Sequence, residues 1–244
     1  MAPSTLEEAS AFLLEANGTG RVLAGGTDLL VQLRAGVTTP GIIVDVKHIE
    51  ELMTIQDEDG GFRVGAAVCG QELGEHPGVT TAWPGVVEAV ELIGSTQVQG
   101  RATAGGNLCN ASPAADSVPA MIAAGATVAV YGPNGRRELP VEDVPARPGK
   151  TNLEPGELIT SIKLPARPAG SGDAYLRMTP RTEMDIAIVG LGVALTMDAS
   201  GTVSAARVGL GAVAPTALHV ADADSALIGS KLDDEALERA AEAC

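Results

Sequence analysis

Apolar residues recur along this chain at two spacings, one helical and one strand-like, and the switches between them mark its elements. A helix is predicted from Leu6 to Leu14, capped by Ser4 or Thr5 with Glu7 or Glu8 completing a capping box, and ended by Asn17-Gly18. Val22-Leu23-Ala24 reads as a short buried strand that stops at Gly25-Gly26. Thr27 or Asp28 then caps a helix over residues 29–35, closed by Gly36. Strands follow at 42–46 and 62–68, the second introduced by the turn Asp59-Gly60-Gly61, and residues 86–93 return to helical spacing. Ser112-Pro113 is expected to open a helix that Pro119 either kinks or replaces with a second one. A hairpin is predicted over 126–139 around Gly132-Pro133-Asn134-Gly135, and a strand over 158–164. Arg167-Pro168-Ala169-Gly170-Ser171-Gly172 has the composition of a linker, so a boundary is expected there, with domains at 1–167 and 173–244. Beyond it, 186–197 and 203–213 read as a long antiparallel pair, followed by two helical segments.

Composition narrows the function. The chain has 244 residues, 45% of them apolar and 19% charged, as in a globular protein with a sizeable core. Aromatics are only 2%, so that core must rest on Val, Leu, Ile and Ala. A formal charge of −15 argues against nucleic acid and against anionic membranes. No apolar run is long enough to span a bilayer, and the start lacks the basic and apolar regions of a secretory signal, so a cytoplasmic protein is expected. Cys69, Cys109 and Cys244 are widely separated, which disfavours a disulfide framework and a metal or iron–sulfur site built from this chain alone.

The candidate chemistry lies in two glycine segments. One is Ala24-Gly25-Gly26-Thr27-Asp28-Leu29; the other is Thr103-Ala104-Gly105-Gly106-Asn107. Each has a hydroxyl residue beside it and leads toward a helix-like stretch. Glycine lets backbone N–H groups approach an anion closely, and a helix start adds unpaired donors. Together they suggest two cradles for one ligand with two phosphates, although each alone could be a tight turn. Neither matches Gly-x-Gly-x-x-Gly or a P-loop, which disfavours a standard Rossmann site. Asp116 could accept from a ribose or a ring N–H, or could simply begin a helix. His48, His76 and His219 have no partner at ligand spacing. Arg177 and Arg181 with Glu183 and Asp185 read as a structural charged cluster, with an anion-facing role as the lesser alternative, and Tyr131 and Tyr175 read as core. No hydrolase motif appears.

The stretches from Val22 to Leu30 and from Ile93 to Asp116 together resemble the FAD-binding, medium subunit of the molybdenum hydroxylases, the family of xanthine dehydrogenase and aerobic carbon monoxide dehydrogenase. Pro148-Gly149-Lys150-Thr151, Glu157-Leu158-Ile159, Asp185-Ile186-Ala187 and Gly211-Ala212-Val213-Ala214-Pro215-Thr216 support the match. The resemblance covers almost the whole chain. It implies an α+β fold, with a two-lobed FAD-binding domain of the vanillyl-alcohol-oxidase type before a smaller domain of antiparallel sheet and helices. It implies FAD, with backbone donors to the pyrophosphate from Val22, Leu23, Ala24, Gly25, Gly26, Thr27, Asp28 and Leu29 and further contacts from Thr103, Ala104, Gly105, Gly106 and Asn107. With the two glycine segments and no histidine or cysteine in a flavin-linking context, non-covalent binding is expected. Asp116, Ile93 and Ile159 fall at further flavin positions, and Arg177 stands where some members have lysine. The implied function is electron transfer, with an iron–sulfur small subunit and a molybdenum-cofactor large subunit as partners and no catalytic side chain in this chain. The rivals are a self-contained FAD oxidoreductase and a flavin-free assembly scaffold. Against the family the chain starts after a short opening strand and stops inside the helical tail, so an incomplete C-terminal domain is expected.

Overall fold

A parallel pair of strands opens the fold, joined by the helix that such a pair requires. The computed structural model describes residues 1–181 and 184–244. Helix α1 (Leu6–Glu15) is capped by Thr5, whose hydroxyl accepts from the Glu8 amide at 3.2 Å, while Glu8 reaches back to the Ser4 amide. Strand β1 (Gly20–Leu23) leads through α2 (Leu29–Arg34) to β2 (Ile42–Asp45), with Gly20 paired to Ile42 and Leu23 to Asp45. Gly36 closes α2 at positive φ, as expected. Leu6, Ala9, Val44, Val46 and Leu52 form the small core of this lobe.

The second lobe is a five-stranded sheet backed by helices. Strands β3 (Ile55–Glu58) and β4 (Gly61–Gly65) form a hairpin whose turn residues Asp59 and Gly60 both have positive φ, as tight hairpins need. Three helices follow: α3 (Gly70–Glu75), α4 (Pro77–Ala82) and α5 (Pro84–Glu91). Next come α6 (Ala104–Asn110) and α7 (Ser117–Ala123). Strands β5 (Thr127–Gly132) and β6 (Gly135–Pro140) make the predicted hairpin, and β7 (Pro145–Arg147) pairs with β8 (Lys150–Thr151). Strand β9 (Leu158–Leu164) enters between β4 and β5, giving the order β3-β4-β9-β5-β6. Val64, Val86, Val90, Leu108, Met121, Ile122, Val128 and Ile162 fill the main core between this sheet and its helices.

A four-stranded antiparallel sheet completes the molecule. It consists of β10 (Ser171–Met178), β11 (Val189–Met197), β12 (Val203–Gly211) and β13 (Leu218–His219), with α8 (Ala221–Leu227) and α9 (Asp234–Ala243) on one face. Its other face lies on α7. The approach is close because Gly192 and Gly209 are cross-strand partners, and a side chain on either would run into the Pro119 carbonyl.

Two expectations are corrected. Ser112-Pro113 opens no helix; α7 starts at Ser117, which puts Pro119 in a first turn where its missing N–H costs nothing. The linker-like segment is pinned, and its last two residues are strand, since β10 begins at Ser171. The Arg167 guanidinium bonds the Ala82 carbonyl, pairs with Asp173 at 2.5 Å and lies over the Trp83 ring.

Candidate functional site

The two glycine segments meet backbone to backbone. A Cβ on Gly25 would overlap the carbonyl of Arg101, two residues before Thr103, so only glycine allows this approach. Gly26 follows at φ +78° and its carbonyl accepts the Leu30 amide, starting α2. Asp28 occupies the cap position without a side-chain capping bond. Gln32 on α2 donates to Asn110 on α6 at 2.9 Å, a second tie between the segments. Lys47, which the sequence reading did not single out, donates to the Ala24 carbonyl at 3.2 Å and pairs with Asp45 at 2.6 Å. Its ammonium puts a positive charge beside the first segment.

The second segment is a helix start and not a free loop. Thr103 caps α6, and Ala104, Gly105, Gly106 and Asn107 are its first turn. This corrects one detail of the expected cradle. The Gly106 amide is already given to the Thr103 hydroxyl at 2.9 Å. The amides of Ala104 and Gly105 are the ones that the helix leaves without an intrahelical acceptor. Gly105 is demanded by packing, because a Cβ there would come within 2.5 Å of the Ala66 carbonyl. Gly106 differs: its Cβ would meet only the Thr103 hydroxyl, at 2.8 Å, and its φ is ordinary. A side chain at 106 would therefore press on the Thr103 cap and not on backbone. Asn107 faces inward and accepts from the Ser117 hydroxyl at 2.7 Å.

A third group gathers where α5 ends. Asp116 receives the Tyr175 hydroxyl on Oδ1 and Arg177 Nη1 on Oδ2, both at 2.9 Å. The Asp116 and Arg177 side chains are 11% and 9% exposed. Burial pushes the Asp116 carboxyl above its ordinary range, with the tyrosine and the arginine pulling the other way. Arg177 also donates to the Leu92 carbonyl at 3.1 Å, which brings it to the neighbour of Ile93. Ile93 is partly buried against the main core, and its carbonyl accepts from Gln99 at 2.7 Å. Gln99 was also missed; its amide closes the end of α5 by donating to the Val90, Glu91 and Ile93 carbonyls. Ile159 lies in the main core, 5% exposed. Tyr175 is core, as expected. The expected charged cluster is divided: Arg177 turns in to Asp116, Arg181 pairs with Asp185 at the surface at 3.3 Å, and Glu183 lies outside the described residues.

These donors suit a dinucleotide diphosphate. Amides without an intrahelical acceptor at a helix start favour an anion, while the nearby Lys47 is already neutralised by Asp45. The comparisons with known proteins agree. Residues 1–167 match the family described as the FAD binding domain in molybdopterin dehydrogenase. This chain belongs to that family. Residues 174–244 match the CO dehydrogenase flavoprotein C-terminal domain. Among curated relatives, the carbon monoxide dehydrogenase medium chain of Hydrogenophaga pseudoflava is 34% identical over 242 residues, covering 99% of this chain and 84% of that one. The nicotinate dehydrogenase FAD-subunit of Eubacterium barkeri is 30% identical over 241 residues, covering 97% and 81%. The solved carbon monoxide dehydrogenase of Hydrogenophaga pseudoflava superposes with a TM-score of 0.94 at 35% identity, over 99% of this chain and 84% of that one. FAD is therefore the cofactor, and the chain is an FAD-containing subunit of a molybdenum hydroxylase. Among the described residues, no helix is long and apolar enough to cross a membrane.

Proposed function

We propose that this chain is the electron-transfer subunit of its enzyme, receiving electrons from iron–sulfur clusters on a small subunit and passing them to NAD+, a quinone or oxygen. Substrate is oxidised at a molybdenum cofactor on a large subunit, and the assembly is cytoplasmic. FAD, when bound, supplies chemistry that runs in one- or two-electron steps. The chain's own residues bind and orient it. Residues 22–29 and 103–107 hold the diphosphate, with the Ala104 and Gly105 amides as donors. Ile93, Asp116, Ile159 and Arg177 border the rest of the cofactor. Residues 1–167 form the FAD domain and 173–244 a second domain that closes the site with β10.

The observation that carries this reading is the Gly25–Arg101 contact, which brings two segments far apart in sequence side by side. The relatives' names support a subunit role, since they describe a medium chain and an FAD-subunit. The three cysteines are free, and two of them are exposed. The test is co-expression with molybdenum and iron–sulfur subunits from the same source. The substrate of the large subunit should reduce the flavin in the assembly and leave it oxidised in the isolated chain. Rapid reduction of the isolated chain would indicate a self-contained oxidoreductase. An assembly without any visible flavin absorbance would indicate a scaffold.

A further inference from the structure

The inward face of β10 is tied to α5 at regular intervals. Alternate residues Asp173, Tyr175 and Arg177 point the same way along the strand. Asp173 accepts the Gly85 amide at 2.8 Å, the Tyr175 amide donates to Glu88 at 3.1 Å, and Arg177 donates to the Leu92 carbonyl. Gly85, Glu88 and Leu92 lie on one side of the helix, at the three- and four-residue spacing that helices repeat. This row ends at Asp116, and there the two long side chains divide the work. Tyr175 holds one carboxylate oxygen and Arg177 holds the other.

We infer that Tyr175 is a positioning residue for FAD: by holding Oδ1 it keeps Asp116 from folding onto Arg177 as a closed two-toothed pair, and so keeps acceptor capacity on Asp116 facing the cofactor. The inference rests on the FAD site proposed above. A carboxylate has about four acceptor positions, and two donors at opposite oxygens leave the others open. A guanidinium alone favours bidentate pairing, which would use both oxygens on one side. Tyr175 is suited to prevent this because it is itself fixed. It is 3% exposed, its ring lies in the main core and its amide is held by Glu88.

The test is a double-mutant cycle on the full chain, read by titration with FAD and by thermal melting. Tyr175→Phe keeps the ring and removes only the hydroxyl. It should weaken FAD binding at least about tenfold, the worth of one hydrogen bond to a charged group, while the melting temperature stays within a few degrees. Asp116→Asn should weaken binding as well, and the double variant should be no worse than the poorer single variant. The visible circular dichroism of bound flavin should change in Tyr175→Phe, which a remote effect on folding would leave alone. Unchanged affinity in Tyr175→Phe, or losses that add in the double variant, would overturn the inference while leaving the FAD site standing. Unfolding of Tyr175→Phe would show a purely structural tyrosine and overturn it too. A wild-type chain that takes up no FAD would overturn the site and this inference together.

Discussion

Three glycines of the site differ in what depends on them, and substitution should separate them. Gly25→Ala and Gly105→Ala each drive a methyl into a backbone carbonyl, of Arg101 and Ala66. Each should cost about 1–3 kcal/mol in urea denaturation. Gly106→Ala gains helix propensity, ~1 kcal/mol, and disturbs the Thr103 cap, which is worth about the same. Stability should stay nearly unchanged while FAD affinity falls at least about tenfold, since a side chain enters the open approach. Full flavin occupancy in Gly106→Ala would show that the approach is unused. A different residue contributes to the acid limb. Arg137 grips Glu157 with two bonds of 2.7 Å and holds its carboxyl below the usual 4.5. A depressed carboxylate contributes stability that is complete above its unfolded value and is lost as pH falls through the folded one. Glu157→Gln should therefore be less stable than wild type at neutral pH, by about 1 kcal/mol or less. The gap should close as pH falls below the ordinary carboxylate range, through the lowered value of Glu157, as melting at a series of pH values would show.

At the scale of elements, the joint between β10 and α5 decides whether the second sheet is fixed. A Cβ on Gly85 would lie 2.8 Å from the Ala174 backbone. Gly85→Ala should lift β10 from the helix and expose residues 165–180 to protease, with the five-stranded sheet still protected. Equal protection in the variant and wild type would show that Arg167 and Asp173 suffice. This joint also marks the limit of what the sequence revealed. Strand β9 was legible to the residue, because Leu158, Ile159, Thr160 and Ile162 are strand formers that suit a buried, extended segment. The β5–β6 hairpin was legible from its turn. Strand β10 was not: Ser171-Gly172-Asp173-Ala174 has the composition of a loop, and its extended form comes from pairing with residues 189–196 of β11. Strand β3 was lost for a like reason, being a polar edge strand. In the site, Gly-Gly disguised the first turn of α6, since glycine is a poor helix former that here serves close approach. Asp116 was singled out, but its pairing with Tyr175 and Arg177 was not, because contacts across 59 and 61 residues leave no local pattern. Lys47 and Gln99 act on backbone carbonyls and carry no motif at all.

For the whole molecule, the first expectation concerns how FAD is kept. No cysteine or histidine is part of the site as described, so the flavin should be held without a covalent bond. Heat or acid precipitation should release all of it to the supernatant, and colour remaining in the pellet would contradict this. The sheet order has a further consequence, for the timing of synthesis. Strand β9 lies between β4 and β5, which do not pair with each other. Both glycine segments and the helices that carry them are therefore made well before the strand that closes their frame. Until Leu164 has left the ribosome, β4 and β5 present open edges, and the long-range pairing that defines the lobe is unavailable. Arrested nascent chains ending near residue 150 should be digested as readily as an unfolded chain. Those long enough to release residue 164 should protect the sheet. FAD loading would then follow synthesis of the second lobe's full length, so cells short of flavin should accumulate a folded, empty protein and not a half-made one.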